Sequence, residues 1–361
     1  MDEASRSERP ETAAAGELPW DLPDRVAVVG AGAWGTTLAN LLAGKGLEVD
    51  LWVYEPELCE MMARMSENVV YLPGVRIHRR VHPSSDLAEV VSGRSLVVFV
   101  TPSQVVRAMA GRAAPHLLDD AILVCCSKGI EKGTLKLLPE VLDEVLGRRF
   151  ANDAAFVSGP SFASEVSQGQ PTSVAVAARD PRVAEHVRRV LGTDVFTLYV
   201  NADVVGIELC GAVKNVIAIA AGICAGRGFG HNTRAALITR GLGEIIKLGT
   251  AMGANPLTFS GLAGIGDLIL TCTSDLSRNT TLGRRLGRGE TLNAILEATH
   301  TVAEGIDTAR SVHDLALKYE LEMPICNQVY AVLHQGADPA DFIEAVIARD
   351  KRRDVGTVTV T

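Results

Sequence analysis

The chain has 361 residues, 47% of them apolar and 22% charged, the balance of a soluble globular protein with room for two domains and a sizeable core. A formal net charge of −8 at pH 7 argues against a nucleic-acid-binding or anionic-membrane surface and leaves a small metabolite as the expected partner. The seven cysteines, at 59, 125, 126, 210, 224, 272 and 326, form no C-x-x-C pair and no zinc-like spacing with histidine, so they read as packed, reduced thiols of a cytoplasmic protein with no metal.

Residues 1–24 carry Glu, Arg, Ser, Ala and Pro without an apolar segment and read as a disordered leader, neither signal peptide nor anchor. A buried-strand run at 26–29 then breaks into Gly30-Ala31-Gly32-Ala33-Trp34-Gly35 and continues as a small-residue helix. In that order a Gly-x-Gly-x-x-Gly turn is a dinucleotide site. Gly30 allows the tight turn, Gly32 leaves room for a pyrophosphate, Gly35 lets the helix close on the strand, and the helix N-terminus offers N–H groups and positive potential.

Further strands are expected at 48–54, 96–100, 121–126, 154–157, 173–177 and 195–200, alternating with helices at 57–66, 103–114, 134–146 and 181–191. Pro56, Pro102 and Pro181 stand near starts, where a missing N–H is harmless. This βαβ alternation predicts a Rossmann-type, doubly wound, mostly parallel sheet over 25–202. From 203 to 349 the strand signal fades and an all-helical domain is expected, with a flexible tail at 350–361. The apolar stretch 204–225 has the length of a membrane span, but Glu208, Lys214 and Asn215 sit inside it, which favours a buried helix.

Candidate ligand residues gather at the carboxyl ends of the strands, where open α/β sheets bind ligands. Tyr54 and Glu55 end the second strand; Glu55 fits either a ribose ligand or a helix-start residue that benefits from the dipole. Lys128, in Ser127-Lys128-Gly129, fits either a surface charge or a cation facing the crevice. Ser161, in Ser158-Gly159-Pro160-Ser161-Phe162-Ala163, fits a helix cap, a ligand contact, or both.

In Gly211-Ala212-Val213-Lys214-Asn215 a lysine stands mid-helix among apolar residues. It must either extend to water or meet oxygen ligands in a cleft, where a lowered pKa suits proton transfer. Asp267, in a Gly-rich turn that runs on to Thr271, fits either a helix cap or a partner that orients Lys214. Ser277-Arg278-Asn279 offers a guanidinium fork and amide donors that match a phosphate, or else an ordinary helix start.

Taken in order, these motifs and Gly264-Ile265-Gly266-Asp267-Leu268 resemble the bacterial-type NAD(P)-dependent glycerol-3-phosphate dehydrogenases from about residue 25 to 349. The resemblance implies a C-terminal domain like that of 6-phosphogluconate dehydrogenase. It implies reversible hydride transfer between NAD or NADP and the pair glycerol 3-phosphate and dihydroxyacetone phosphate, supplying glycerophospholipid synthesis, in a homodimer. By motif position it implies Lys214 as general acid/base, and substrate contacts at Lys128, Gly159, Ser161, Lys214, Asn215, Asp267, Thr271, Ser277, Arg278 and Asn279. Cofactor contacts fall at Gly30, Gly32, Ala33, Trp34, Gly35, Tyr54, Lys128, Ala163, Arg278, Val302 and Glu304. Ala33, Trp34 and Ser161 depart slightly from the commonest family residues, and Tyr54 stands where cofactor choice varies. Two rivals share the architecture: a 2-hydroxy-acid or sugar-nucleotide dehydrogenase, and a non-catalytic NAD(P) sensor.

Overall fold

The computed structural model describes residues 18–147, 150, 152–298 and 303–342. Ten strands are present among them: β1 (Arg25–Val29), β2 (Glu48–Trp52), β3 (Glu67–Asn68), β4 (Leu72–Arg76), β5 (Val81–Ser84), β6 (Leu96–Phe99), β7 (Ile122–Cys125), β8 (Ala154–Ser158), β9 (Thr172–Ala178) and β10 (Phe196–Asn201). Eight of them form one sheet in the order β10-β9-β8-β7-β6-β1-β2-β5, and β3 and β4 pair separately. Every neighbouring pair in the large sheet is parallel except β8 and β9, so the sheet is a mostly parallel Rossmann type.

The strands are apolar on both faces because both are covered. Val26, Val28, Leu96 and Val98 face one core, and Ala27, Val29, Val97 and Phe99 face the other, which runs on without a break into the C-terminal helices. Those helices surround Val204–Gly226, the apolar stretch expected to be buried, and it is. Its span would suffice for a membrane by length and composition, but 94% of its most apolar window is buried inside the protein.

The helix Arg278–Gly287 crosses this central helix at backbone contact. A Cβ on Gly222 would stand 2.2 Å from the Thr280 carbonyl oxygen, and one on Gly283 would stand 2.1 Å from that of Ile219. The crossing therefore fixes where the Ser277-Arg278-Asn279 start of that helix lies relative to Lys214.

Some expected elements are trimmed. The helix expected at 134–146 begins only at Leu138, because Leu135 takes φ +59° and Ile130 and Leu137 form an isolated bridge. The segment expected as one helix at 103–114 is a 3-10 turn, Ser103–Val105, followed by the helix Val106–Ala113 and a second 3-10 turn, Ala114–His116. The small β3–β4 pair and the edge strand β5 carry no strong apolar alternation and were not anticipated. Of the expected leader, residues 1–17 lie outside the described residues, whereas Trp20 packs against His186 with ring centroids 5.5 Å apart. The expected tail at 350–361 also lies outside them.

Candidate active site

At the carboxyl edge of β1, Gly30 takes φ +119°, a conformation that L side chains rarely adopt. A Cβ on Gly35 would fall 1.8 Å from the Gly30 carbonyl oxygen, so this helix closes on its strand only with glycine there. Around Gly32, by contrast, no atom lies within 4 Å of where a Cβ would stand. Gly32 is also the N-cap of the helix Ala33–Gly44, which has no side-chain cap. An open approach to uncapped N–H groups fits a dinucleotide pyrophosphate.

Surrounding side chains hold this turn. Asn68, fully buried, donates to the Ala31 carbonyl at 2.8 Å and to Thr36 Oγ1 at 2.9 Å. Thr37 donates to the Ala33 carbonyl at 2.9 Å and to that of Ala163 at 3.3 Å, which brings the loop after β8 against the cofactor helix. Trp34 packs toward Phe196, with ring centroids 6.0 Å apart. Tyr54 is 72% exposed and meets Trp52 edge-on. Glu55 stands at the N-cap of the helix Pro56–Met65 without a side-chain cap bond; its Oε1 accepts a hydrogen bond from the Tyr71 hydroxyl at 2.9 Å.

Where the sheet edge meets the central helix, Lys214 is 7% exposed and does not extend to water. Its Nζ donates to Asp267 Oδ1 at 2.5 Å and to Thr271 Oγ1 at 2.9 Å. Lys128 reaches over from the sheet and donates to the other oxygen, Asp267 Oδ2, at 2.8 Å and to the Gly159 carbonyl at 3.2 Å. Asp267 is the first residue of the helix Asp267–Thr273, but its carboxylate spans two ammonium groups instead of capping it. Thr271 donates to the Asp267 carbonyl at 2.7 Å, one turn back on the same helix, and so keeps its lone pairs toward Lys214.

The electrostatics follow from that triad. Burial pushes Lys214 down to about 8, aided by the Lys128 charge and opposed by Asp267. Burial acts to raise the Asp267 carboxyl, but Lys128 and Lys214 outweigh it and hold the group below the ordinary carboxylate range. A lysine whose proton is labile near neutral pH is thus buried with its orientation fixed on two sides.

The rim is built from neighbouring turns. Asn279 donates from Nδ2 to Asn215 Oδ1 at 3.0 Å, and its Oδ1 accepts the Gly305 N–H at 3.1 Å. Ser277 caps the helix Arg278–Gly287 by accepting from the Thr280 N–H, while Arg278 beside it is exposed. Glu304 is half-buried; burial raises its carboxyl, against the Arg278, Lys128 and Lys214 charges and the Ser103 backbone N–H. Glu304 thus lies within electrostatic reach of Arg278 and both lysines. Ser161 is not a cap: its hydroxyl donates to the Gly159 carbonyl at 3.0 Å, and the next helix, Ala163–Ser167, has Phe162 at its N-cap. Val302 lies outside the described residues.

All seven cysteines are unpaired in disulfides, and six are buried. No group of three or more His, Cys, Asp or Glu that could hold a metal occurs among the described residues. Two residues that hold the site were not singled out from sequence, Asn68 and Tyr71, neither of which stands in a recognisable motif.

Two family models match, NAD-dependent glycerol-3-phosphate dehydrogenase N-terminus over residues 25–184 and NAD-dependent glycerol-3-phosphate dehydrogenase C-terminus over 203–344. The glycerol-3-phosphate dehydrogenase [NAD(P)+] of Citrifermentans bemidjiense is 50% identical over 333 residues, 92% of this chain and 99% of that protein. Its counterpart in Syntrophobacter fumaroxidans is 48% identical over 330 residues, 91% of this chain and 97% of that protein. The crystal structure of glycerol-3-phosphate dehydrogenase from Coxiella burnetii superposes with a TM-score of 0.87 at 37% identity, covering 91% of this chain and 99% of that one.

Proposed function

The chain belongs to the NAD-dependent glycerol-3-phosphate dehydrogenase family, and on that premise we propose that Lys214 is the proton donor and acceptor of its reaction. It is an NAD(P)-dependent oxidoreductase that interconverts sn-glycerol 3-phosphate and dihydroxyacetone phosphate. When bound, the reduced nicotinamide supplies the hydride that reaches the ketone carbon. The Lys214 ammonium gives its proton to the oxygen that becomes the alcohol, and in the oxidation direction the neutral amine takes it back. The burial of Lys214 with its Nζ on Asp267 and Thr271 carries this reading.

Each neighbour then has a part. Asp267 keeps the Lys214 ammonium charged and aimed, with Thr271 as the second point that fixes its direction. Lys128 adds positive potential where negative charge develops on the substrate oxygen, a stabilisation that acts mainly in the transition state. Gly159, Ser161 and Asn215 line the substrate, while Ser277, Arg278 and Asn279 hold its phosphate. Anchoring the phosphate converts binding energy into orientation of the carbonyl. The turn Gly30-Ala31-Gly32-Ala33-Trp34-Gly35 would hold the pyrophosphate, with Tyr54, Ala163, Val302 and Glu304 as further cofactor contacts.

We place the division of labour at residues 25–202 for the cofactor and 203–349 for the substrate, in line with the two family-model matches. The net charge of −8 and the unpaired cysteines support a cytoplasmic enzyme acting on a small phosphorylated substrate rather than on nucleic acid or membrane. Supply of the glycerophospholipid backbone and assembly as a homodimer rest on the family resemblance.

The test is dihydroxyacetone phosphate reduction followed by nicotinamide absorbance, with NADH and NADPH side by side and 2-keto acids and nucleotide sugars as competing substrates. Saturable reduction of dihydroxyacetone phosphate is expected. Preference for a 2-keto acid or nucleotide sugar, or cofactor binding without turnover, would overturn the assignment.

A further inference from the structure

Glu208 lies on the central helix, 2% exposed, and its Oε2 has no hydrogen-bond partner among the described residues. The mechanism above leaves it unused. One turn further along the same helix, a Cβ on Gly211 would stand 2.7 Å from Ser158 Oγ and 3.3 Å from Lys128 Cγ, so the face that Glu208 shares with Gly211 packs against the Lys128 stem. Ser158 Oγ is likewise buried and without a partner. An ionised carboxylate is costly in such a setting, so the group is carried in its protonated, neutral form.

We propose that Glu208 is a positioning residue for Lys128: neutral, it leaves the ammonium free for Asp267, Gly159 and the substrate, and ionised, it competes for that ammonium and weakens substrate binding. This rests on the reading of Lys128 as a substrate contact. Burial raises the Glu208 carboxyl to about 8, and the one charge opposing this is Lys128. From β7 and the loop after it, the ionisable groups that face Glu208 are Lys128 and the Cys125 and Cys126 thiols, both thiols themselves raised by burial and so neutral at working pH. From β8 the neutral Ser158 hydroxyl meets the same helix face at Gly211.

Two measurements on the full chain test this. The first does not depend on activity. A carboxyl protonated in the folded state up to about pH 8 and ionised in the unfolded chain above about 4.5 makes stability fall as pH rises across that window. Urea unfolding from pH 5 to 9 is therefore expected to lose a full proton's worth of slope in Glu208→Gln, whose amide mimics the neutral acid. The second is the KM for dihydroxyacetone phosphate, expected to rise between pH 7 and 9 at least threefold more in wild type than in Glu208→Gln, while kcat keeps the limb set by Lys214. Should Glu208→Gln not fold, Glu208→Asp serves: its shorter carboxyl still titrates, so the unfolding slope is kept but its midpoint moves.

Superimposable unfolding slopes in wild type and Glu208→Gln would overturn the neutral carboxyl. Loss of the slope with an unchanged KM profile would overturn the link to Lys128. Absence of any dihydroxyacetone phosphate turnover in wild type would instead count against the proposed function, leaving the unfolding result standing on its own.

Discussion

Replacing Asp267 with asparagine removes one charge and keeps the shape. Asp267 is 1% exposed, and its two oxygens are held by Lys214 at 2.5 Å and Lys128 at 2.8 Å. In Asp267→Asn those two ammonium groups face each other across a neutral amide. Breaking a buried pair from one side costs about 3–5 kcal/mol of stability. An opposite charge at this range is worth about 1–3 pKa units, each about 1.4 kcal/mol, so Lys214 falls from about 8 to roughly 6. At pH 7 the protonated fraction of Lys214 then drops from about nine-tenths to about one-tenth, and dihydroxyacetone phosphate reduction slows about tenfold from protonation alone. The assay is initial-rate NADH oxidation from pH 5.5 to 9, with urea unfolding run alongside to confirm that the variant is folded. The alkaline limb of kcat is expected to move down by one to two units, with activity partly recovered near pH 6. A folded variant whose limb stays at the wild-type pH would refute the coupling of Asp267 to Lys214.

Other outcomes follow from the same geometry. Because Lys214 titrates at about 8, kcat for reduction should fall as pH rises through that value, while kcat for glycerol 3-phosphate oxidation should rise through it; limbs running the same way in both directions would contradict the assignment. As the proposed phosphate anchor, the exposed Arg278 gives a binding test: Arg278→Ala should raise the KM for dihydroxyacetone phosphate by about 10- to 100-fold with a smaller change in kcat, read from substrate saturation curves. Adding a methyl at Gly35 places a carbon 1.8 Å from the Gly30 carbonyl, so Gly35→Ala should open the strand–helix turn and abolish NADH binding, read by fluorescence titration.

How much of this could be read from sequence depends on how local each signal is. The parallel strands were legible because both faces are covered, which leaves runs such as Leu96–Phe99 apolar throughout. The edge strand β5 was not, since its Val81-His82-Pro83-Ser84 sequence has one apolar face position and a proline that only an edge tolerates. The reversal between β8 and β9 leaves no mark on the side-chain pattern of either strand. At the site, the glycine turn announces itself within six residues. The fate of Lys214 does not, because its partner Asp267 is 53 positions away and extension to water is an equally good local solution. Asp267 and Ser161 each carried a capping alternative: a tertiary contact to Lys128 decides it for Asp267 and a local bond to Gly159 for Ser161, whereas for Ser277 the cap is real. Glu55 does stand at a helix start, but its bond from Tyr71 is a tertiary one that the local sequence does not show.

Lys214→Ala removes the ammonium proposed to move the proton. Single-turnover reduction of dihydroxyacetone phosphate should slow by about 10²–10⁴-fold, the range for loss of a positioned general acid, while the NADH dissociation constant stays within about twofold of wild type. Turnover within a few-fold of wild type at the same cofactor affinity would contradict that role.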